Sequence, residues 1–285
     1  MYNLSSAELS EADRIIHNAL KEDIRSGDIT TNATTPKNAV SHAVIYARSS
    51  CILAGITISS RTFTLLDRKS ALFFPVSDGS RIKRNQRVFE IHGNSSAILQ
   101  GERTALNILC RMSGIATLTR KFVDRVEGTD AVILDTRKTM PGLRLFDKYA
   151  VRTGGGNNHR YALDDMFLIK ENHSAEAGGI ARAIKLCKAY KRQHGLRAKI
   201  VVEAGSRDEA LEAADAGSNR ILLDNLLPDE VKAIADILNE RVKLEVSGGI
   251  TLRNVRAFAE TGVHYISIGQ LTHSAPAADF SLLFI

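Results

Sequence analysis

Between Asp135 and His173 the chain sets a high density of cations beside a glycine run: Asp-Thr-Arg-Lys-Thr at 135–139, Gly-Gly-Gly-Asn-Asn-His-Arg at 154–160 and Leu-Ile-Lys-Glu-Asn-His at 168–173. Arg137, Lys138, His159, Arg160, Lys170 and His173 all follow or end short apolar runs. Unpaired charges do not fill a core, because burying them costs too much. They form either a salt-bridged, solvated surface or a pocket for a strongly anionic partner. A guanidinium grips a carboxylate through two parallel hydrogen bonds, so Arg137 and Arg160, with Lys170 and His159 beside them, suit a small di-acid. Further on, Glu203 and Asp224 each end an apolar run. Carboxylates so placed can hold a Mg²⁺ that grips phosphate oxygens, or face a positive charge developing on a sugar carbon. Helix capping and simple ion pairing are the plainer alternatives. Ser247-Gly248-Gly249 and Gly269-Gln270 also follow apolar runs. Small residues there let backbone N–H groups approach a phosphate at a helix start, although a tight turn after a strand calls for glycine in any case.

The elements that must carry these residues change character along the chain. Up to about residue 95 the texture is mixed. Ile15, Ile16, Ala19 and Leu20 give one helical face, and 43–47, 51–54, 71–76 and 88–91 read as strands between Gly, Asn and Asp turns. A strong helical period covers 96–127, with a break expected near Ser113-Gly114. From Ala131 onward, apolar strands at 132–134, 166–169, 200–202, 221–223, 244–246 and 265–268 alternate with helical patterns at 175–192, 207–216, 228–239 and 251–261. A further strand is expected at 151–156. Such alternation implies parallel strands joined by helices. In a parallel barrel the strand C-termini share one rim, where active sites sit, so Arg137, Lys138, Lys170, Glu203, Asp224, Ser247 and Gly269 are expected to converge. Too few strands are visible for eight, so an incomplete barrel of about seven is expected.

Composition narrows the function classes. The net charge of +6 permits either a nucleic-acid partner or an anionic small molecule. The basic residues are dispersed, however, tryptophan is absent and aromatics make up only 6%. No stacking strip or basic tract is present, so no nucleic acid is expected. The densest basic stretch, Arg81–Arg87, follows an Asp-Gly turn and reads as a solvated hairpin. No apolar run approaches the ~18–20 residues that span a bilayer, and the opening residues lack a basic-then-apolar leader pattern. A cytoplasmic protein without a membrane partner is therefore expected. Cys51, Cys110 and Cys187 are far apart, without metal-ligand spacing, and read as small apolar residues in a reducing compartment. Gly154–Gly156 is not part of a GxGxxG turn, GxxxxGK[ST] is absent, and Asp164-Asp165 runs into Met-Phe-Leu-Ile-Lys rather than a Thr/Gly phosphate turn. Asp23 and Asp28 read as turn and cap residues.

Taken together, these stretches closely resemble the quinolinate phosphoribosyltransferase family, also called nicotinate-nucleotide pyrophosphorylase (carboxylating). The resemblance runs through Glu22–Thr30, Glu102–Asn107, Ser113–Thr117, Asp135–Arg144, Lys148–Val151, Gly154–Arg160, Leu168–His173, Leu222–Asn225, Ser247–Ile250 and Ile268–Ser274, in order, from about residue 20 to the end. It implies an N-terminal open α/β sandwich domain (1–107), an incomplete α/β barrel (108–268) and a C-terminal segment (269–285) returning to the first domain. It further implies transfer of phosphoribose from 5-phosphoribosyl 1-pyrophosphate to quinolinate with decarboxylation, a step of de novo NAD biosynthesis, in a homodimer with shared active sites and possible further assembly of dimers.

By this resemblance the di-acid site comprises Arg137, His159, Arg160 and Lys170, with Arg103 from the partner subunit. Arg103 by itself reads as an ordinary helical surface residue. The phosphoribosyl pyrophosphate site maps onto Lys138, Lys170, His173, Glu203, Asp224, Ser247, Gly248, Gly249 and Gly269. Lys138, Lys170, Glu203 and Asp224 take the catalytic roles, and Mg²⁺ is held by Glu203 and Asp224 through the substrate. The chain departs from the family pattern at Arg25 (usually glycine), Val201 (often glutamate), Met140 (often threonine), His264 (often aspartate) and Gln270 (usually small). Asp135 and Leu-Ile-Lys-Glu-Asn-His separate it from a sister group linked to molybdate transport. Two rival readings are a same-fold transferase for another aromatic acid such as nicotinate, and a non-catalytic anion-binding homologue.

Overall fold

The computed structural model describes residues 4–285. In chain order its elements are α1 (Ser6–Ile24), α2 (Ile29–Thr34), β1 (Val40–Ala47), β2 (Cys51–Ile52), α3 (Ile56–Leu66), β3 (Ala71–Phe73), β4 (Arg81–Ile82), β5 (Arg87–Asn94) and α4 (Ser95–Arg125). There follow β6 (Val132–Leu134), α5 (Arg144–Thr153), β7 (Phe167–Ile169), α6 (Glu171–Ala177), α7 (Ile180–Gln193), β8 (Ile200–Ala204), α8 (Arg207–Asp215) and β9 (Arg220–Asp224). The last are α9 (Pro228–Leu238), β10 (Lys243–Ser247), α10 (Val255–Ala259), β11 (Tyr265–Ser267), α11 (Gln270–His273) and β12 (Phe280–Phe284). Two compact units result. One is made by the chain as far as Arg120 with Thr139–Gly155 and Gln270–Ile285, the other by Lys121–Lys138 and Gly156–Gly269.

The first unit is built on an antiparallel sheet of order β12-β1-β5-β3, so the chain's last strand pairs with its first. Phe63, Phe89, Ile45, Ile91, Ile98 and Leu109 fill the core against it. Ser5 starts α1 with a reciprocal capping box to Glu8, and Ala12, Ile16 and Leu20 are its buried stripe. Asp23 lies inside α1 rather than in a turn, while Asp28 caps α2 by accepting from Thr30 and Thr31 N–H. Arg81 and Ile82 pair with Ile52 and Cys51, and β5 belongs to the other sheet, so Arg81–Arg87 is not a hairpin.

The helix break expected at Ser113-Gly114 does not occur, and α4 runs through it. A Cβ on Gly114 would lie 2.1 Å from the Pro276 carbonyl oxygen, and Ser113 Oγ accepts from Ala54 N–H at 3.1 Å. These two residues serve close approach on α4, and the glycine is no punctuation.

The second unit carries a six-stranded parallel sheet of order β6-β11-β10-β9-β8-β7. Six of the about seven strands expected are present. The 151–156 stretch is instead the end of α5 and a glycine turn, and beyond it Asn157 makes a single parallel bridge to Leu134 on edge strand β6. The expected 175–192 helix divides into α6 and α7 at Gly178-Gly179, whose φ values of 81° and 120° a helix cannot accommodate.

Register decides what this sheet presents. Parallel partners Glu203↔Leu222↔Glu245↔Tyr265 share one row, and Ser247↔Asp224 lies two residues further along the same face. The alternating Ile221, Leu223, Leu244 and Val246 are buried on the other face. Strands that read as uniformly apolar thus turn a polar set one way.

Candidate active site

Within the second unit, a cavity of about 560 Å³ is lined by Arg137, Lys138, His159, Arg160, Lys170, Glu203, Asp224, Ser247, Gly248, Gly249 and Gly269. Eleven of the thirteen residues singled out in the sequence therefore meet at one place, because the strand ends and the turns after them share one rim. His173 does not line it. His173 sits in the first turn of α6, where its Nδ1 accepts from Lys170 N–H at 3.0 Å. Arg103 is an exposed residue of α4 in the first unit.

Arg160 is almost fully buried, and its Nη1 donates to the Met166 carbonyl at 3.2 Å. Burial first, and the neighbouring Arg137 charge second, push its pKa down. Two guanidiniums close enough to oppose each other's charge, with Asp165 offsetting it less strongly, make a positive site that an anion would relieve. Arg137 Nε is buried without a hydrogen-bond partner. Below them Asp135, fully buried, accepts from His159 N–H at 2.8 Å and Asn158 Nδ2 at 2.5 Å, fixing the 157–160 loop.

The acidic side is organised separately. Glu203 at the end of β8 is paired with Lys170 Nζ. Asp224 at the end of β9 accepts from Ser247 Oγ at 2.5 Å and Asn225 Nδ2 at 2.7 Å. Gly248 has φ 90°, and a Cβ there would meet Asn225 Oδ1 at 2.1 Å. Gly249, at φ 60°, faces open space. The turn therefore leaves its backbone bare beside Asp224, as a phosphate would require. No group of three or more His, Cys, Asp or Glu is placed to hold a metal among the described residues. The donor set is two carboxylates on adjacent strand ends. That suits a Mg²⁺ gripped mainly by substrate oxygens and water, with only one or two protein carboxylates.

The sequence reading missed Glu245, Arg220 and Ser267. Glu245 is fully buried at the cavity wall, where Arg220 Nη1 donates to its Oε2 at 2.8 Å and Ser267 Oγ donates to its Oε1. His159 Nε2 lies 3.2 Å from the same Oε1. The available signal was a lone acid inside an apolar strand, with an arginine two positions earlier in the register of the neighbouring strand.

Fold and site together define an α/β protein that gathers cations, carboxylates and a glycine turn at the C-terminal rim of a parallel sheet. Residues 115–283 match the family model of the quinolinate phosphoribosyl transferase C-terminal domain, and residues 28–113 match that of its N-terminal domain. The chain belongs to the quinolinate phosphoribosyl transferase family. It is 41% identical over 269 residues to a probable nicotinate-nucleotide pyrophosphorylase (carboxylating) of Bacillus subtilis, covering 94% of this chain and 92% of that protein. It is 39% identical to the nicotinate-nucleotide pyrophosphorylase (carboxylating) of Mycobacterium leprae, covering 98% and 99%. Among solved structures, NadC from Streptococcus pyogenes superimposes with a TM-score of 0.93 at 36% identity, covering 100% of each chain.

Proposed function

We propose that the protein transfers the phosphoribosyl group of 5-phosphoribosyl 1-pyrophosphate to quinolinate with decarboxylation, yielding nicotinate mononucleotide, pyrophosphate and CO₂. The observation that carries this reading is one cavity with two charge regimes: paired guanidiniums on one side, carboxylates beside a bare glycine turn on the other. Arg137, Arg160 and Lys170, with His159 at their base and Arg103 supplied by the partner of a homodimer, clamp the two carboxylates of quinolinate. Lys138, Ser247, Gly248, Gly249 and Gly269 receive the phosphates, while His173, outside the cavity lining, shapes the turn at Lys170. Glu203 and Asp224 would hold Mg²⁺, which when bound neutralises pyrophosphate charge.

Lys138 and Lys170 favour departure of pyrophosphate, and Glu203 and Asp224 favour the positive charge that then develops at the ribosyl carbon. The pyridine nitrogen captures that carbon. The C2–carboxylate bond then breaks, and the electron pair left at C2 is stabilised beside the positive ring nitrogen until C2 is protonated. Positioning and electrostatics supply the catalysis, and no covalent enzyme intermediate is required. An odd number of widely spaced free thiols is in keeping with a reducing, cytoplasmic setting.

The test is release of pyrophosphate and labelled CO₂ with Mg²⁺, run with quinolinate and, in parallel, with nicotinate. Quinolinate-dependent release of both products is expected. Turnover of nicotinate alone, or no pyrophosphate from either acid, would overturn the reading.

A further inference from the structure

The deepest charged group of the cavity wall is Glu245, and all its partners point to one task. Arg220, itself stacked 3.9 Å over the Tyr265 ring, donates to Oε2, while Ser267 donates to Oε1. Burial disfavours the Glu245 charge, while the Ser267 and Arg220 donors on its two oxygens support it. The carboxylate thus accepts on both of its oxygens.

Facing it is an imidazole with only one possible arrangement. His159 Nδ1 accepts the backbone N–H of Arg160 at 2.8 Å, so Nδ1 carries no proton. The ring proton is therefore on Nε2, which lies 3.2 Å from Glu245 Oε1. Nδ1 is committed to the Arg160 N–H, and Nε2 faces the Glu245 carboxylate. Through Nδ1 the ring holds the backbone of Arg160, whose guanidinium lines the cavity.

We propose that Glu245 is a positioning residue of the di-acid site: it locks His159 as the Nε2–H tautomer, and His159 in turn locks Arg160. Histidine serves the di-acid through Arg160 rather than by presenting a charge of its own. The inference rests on the di-acid assignment made above, and its test separates the two.

The first measurement uses the wild-type protein labelled with ¹⁵N-histidine, without substrates, the His159 resonances being identified by their loss in His159→Asn. Nitrogen shifts of the Nε2–H tautomer are expected. An Nδ1–H pattern or a doubly protonated ring overturns the proposal, whatever the reaction proves to be. The second measurement is substrate titration of Glu245→Gln. The new amide brings a donor toward Arg220 or His159, so quinolinate affinity should fall by about tenfold or more, with phosphoribosyl pyrophosphate affinity changed by less than about twofold. Adding Arg220→Met frees the amide oxygen for His159 and should recover most of that loss. Equal weakening of both substrates, no weakening, or no recovery in the double variant overturns the proposal. Failure of the wild-type protein to bind quinolinate would sink the di-acid assignment instead, and the histidine spectrum would still decide the tautomer.

Discussion

Arg137 and Arg160 oppose each other's charge inside a largely buried wall, an arrangement that is unfavourable until an anion arrives. A charge-assisted contact to a bound carboxylate is worth roughly 1.5–3 kcal/mol. Arg160→Ala should therefore weaken quinolinate by about 10- to 150-fold while leaving phosphoribosyl pyrophosphate within about threefold, as titrations of each substrate would read. Equal loss of both would refute the division of the cavity into two halves. The charges at strand ends were legible in the sequence because cations and acids that close apolar runs have few structural uses. Glu245 was not, since its justification, Arg220, lies on a neighbouring strand and only the register reveals it. A half-buried acid outside the cavity, Asp78, sets a pH dependence. Asp78 accepts from Ile56 N–H at 3.0 Å and Tyr149 Oη at 2.7 Å, yet burial dominates and pushes its pKa above the ordinary 3.8. A carboxyl raised on folding contributes stability that is complete below its unfolded value and is lost as pH rises through its folded value. Melting temperatures of Asp78→Asn measured across about pH 4 to 7 should accordingly gain on wild type as pH rises. A constant offset between the two proteins would contradict this assignment.

At the scale of elements, alternation located every strand of the parallel sheet because each short apolar run is bounded by turns and followed by a helical period. What could not be read were the places where one element leans on another. Ser113-Gly114 resembles a helix stop in isolation, and only the returning chain at Pro276 shows that the glycine makes room for a backbone carbonyl. The 151–156 stretch opens on the β-branched Val151 but is claimed by α5, whose Tyr149, Ala150 and Val151 are buried. The opposite case is the end of α1, where a departure from the family pattern has a visible consequence. Arg25, where the family resemblance leads one to expect glycine, adopts φ 49° and ψ −111° while its N–H bonds the Lys21 carbonyl at 3.2 Å. A side chain held there costs about 1–3 kcal/mol. Arg25→Gly relieves that strain but adds freedom to the unfolded chain, so the net gain should be about 1 kcal/mol, a rise of about 2–4 °C in Tm. A lower Tm for the glycine variant would show that the arginine side chain makes contacts that outweigh its backbone.

For the whole molecule the decisive feature is Arg103. Nothing in composition or periodicity distinguishes it from other exposed residues of α4, and the cavity is lined by the second unit alone. If each active site is completed by Arg103 of the partner subunit, then Arg103→Ala and Arg160→Ala damage different halves of the same site. Each variant alone should be nearly inactive with quinolinate. When the two are unfolded together and refolded as a mixture, about half of the dimers should contain one chain of each kind. In such a dimer one site carries both substitutions and the other carries neither, so total activity should recover to about one quarter of wild type. Recovery of this size cannot come from a monomer, nor from a dimer whose sites are each built from one chain. A mixture that stays as inactive as its components, while sedimentation shows that mixed dimers have formed, would place Arg103 outside the partner's site and leave the di-acid clamp to Arg137, Arg160 and Lys170.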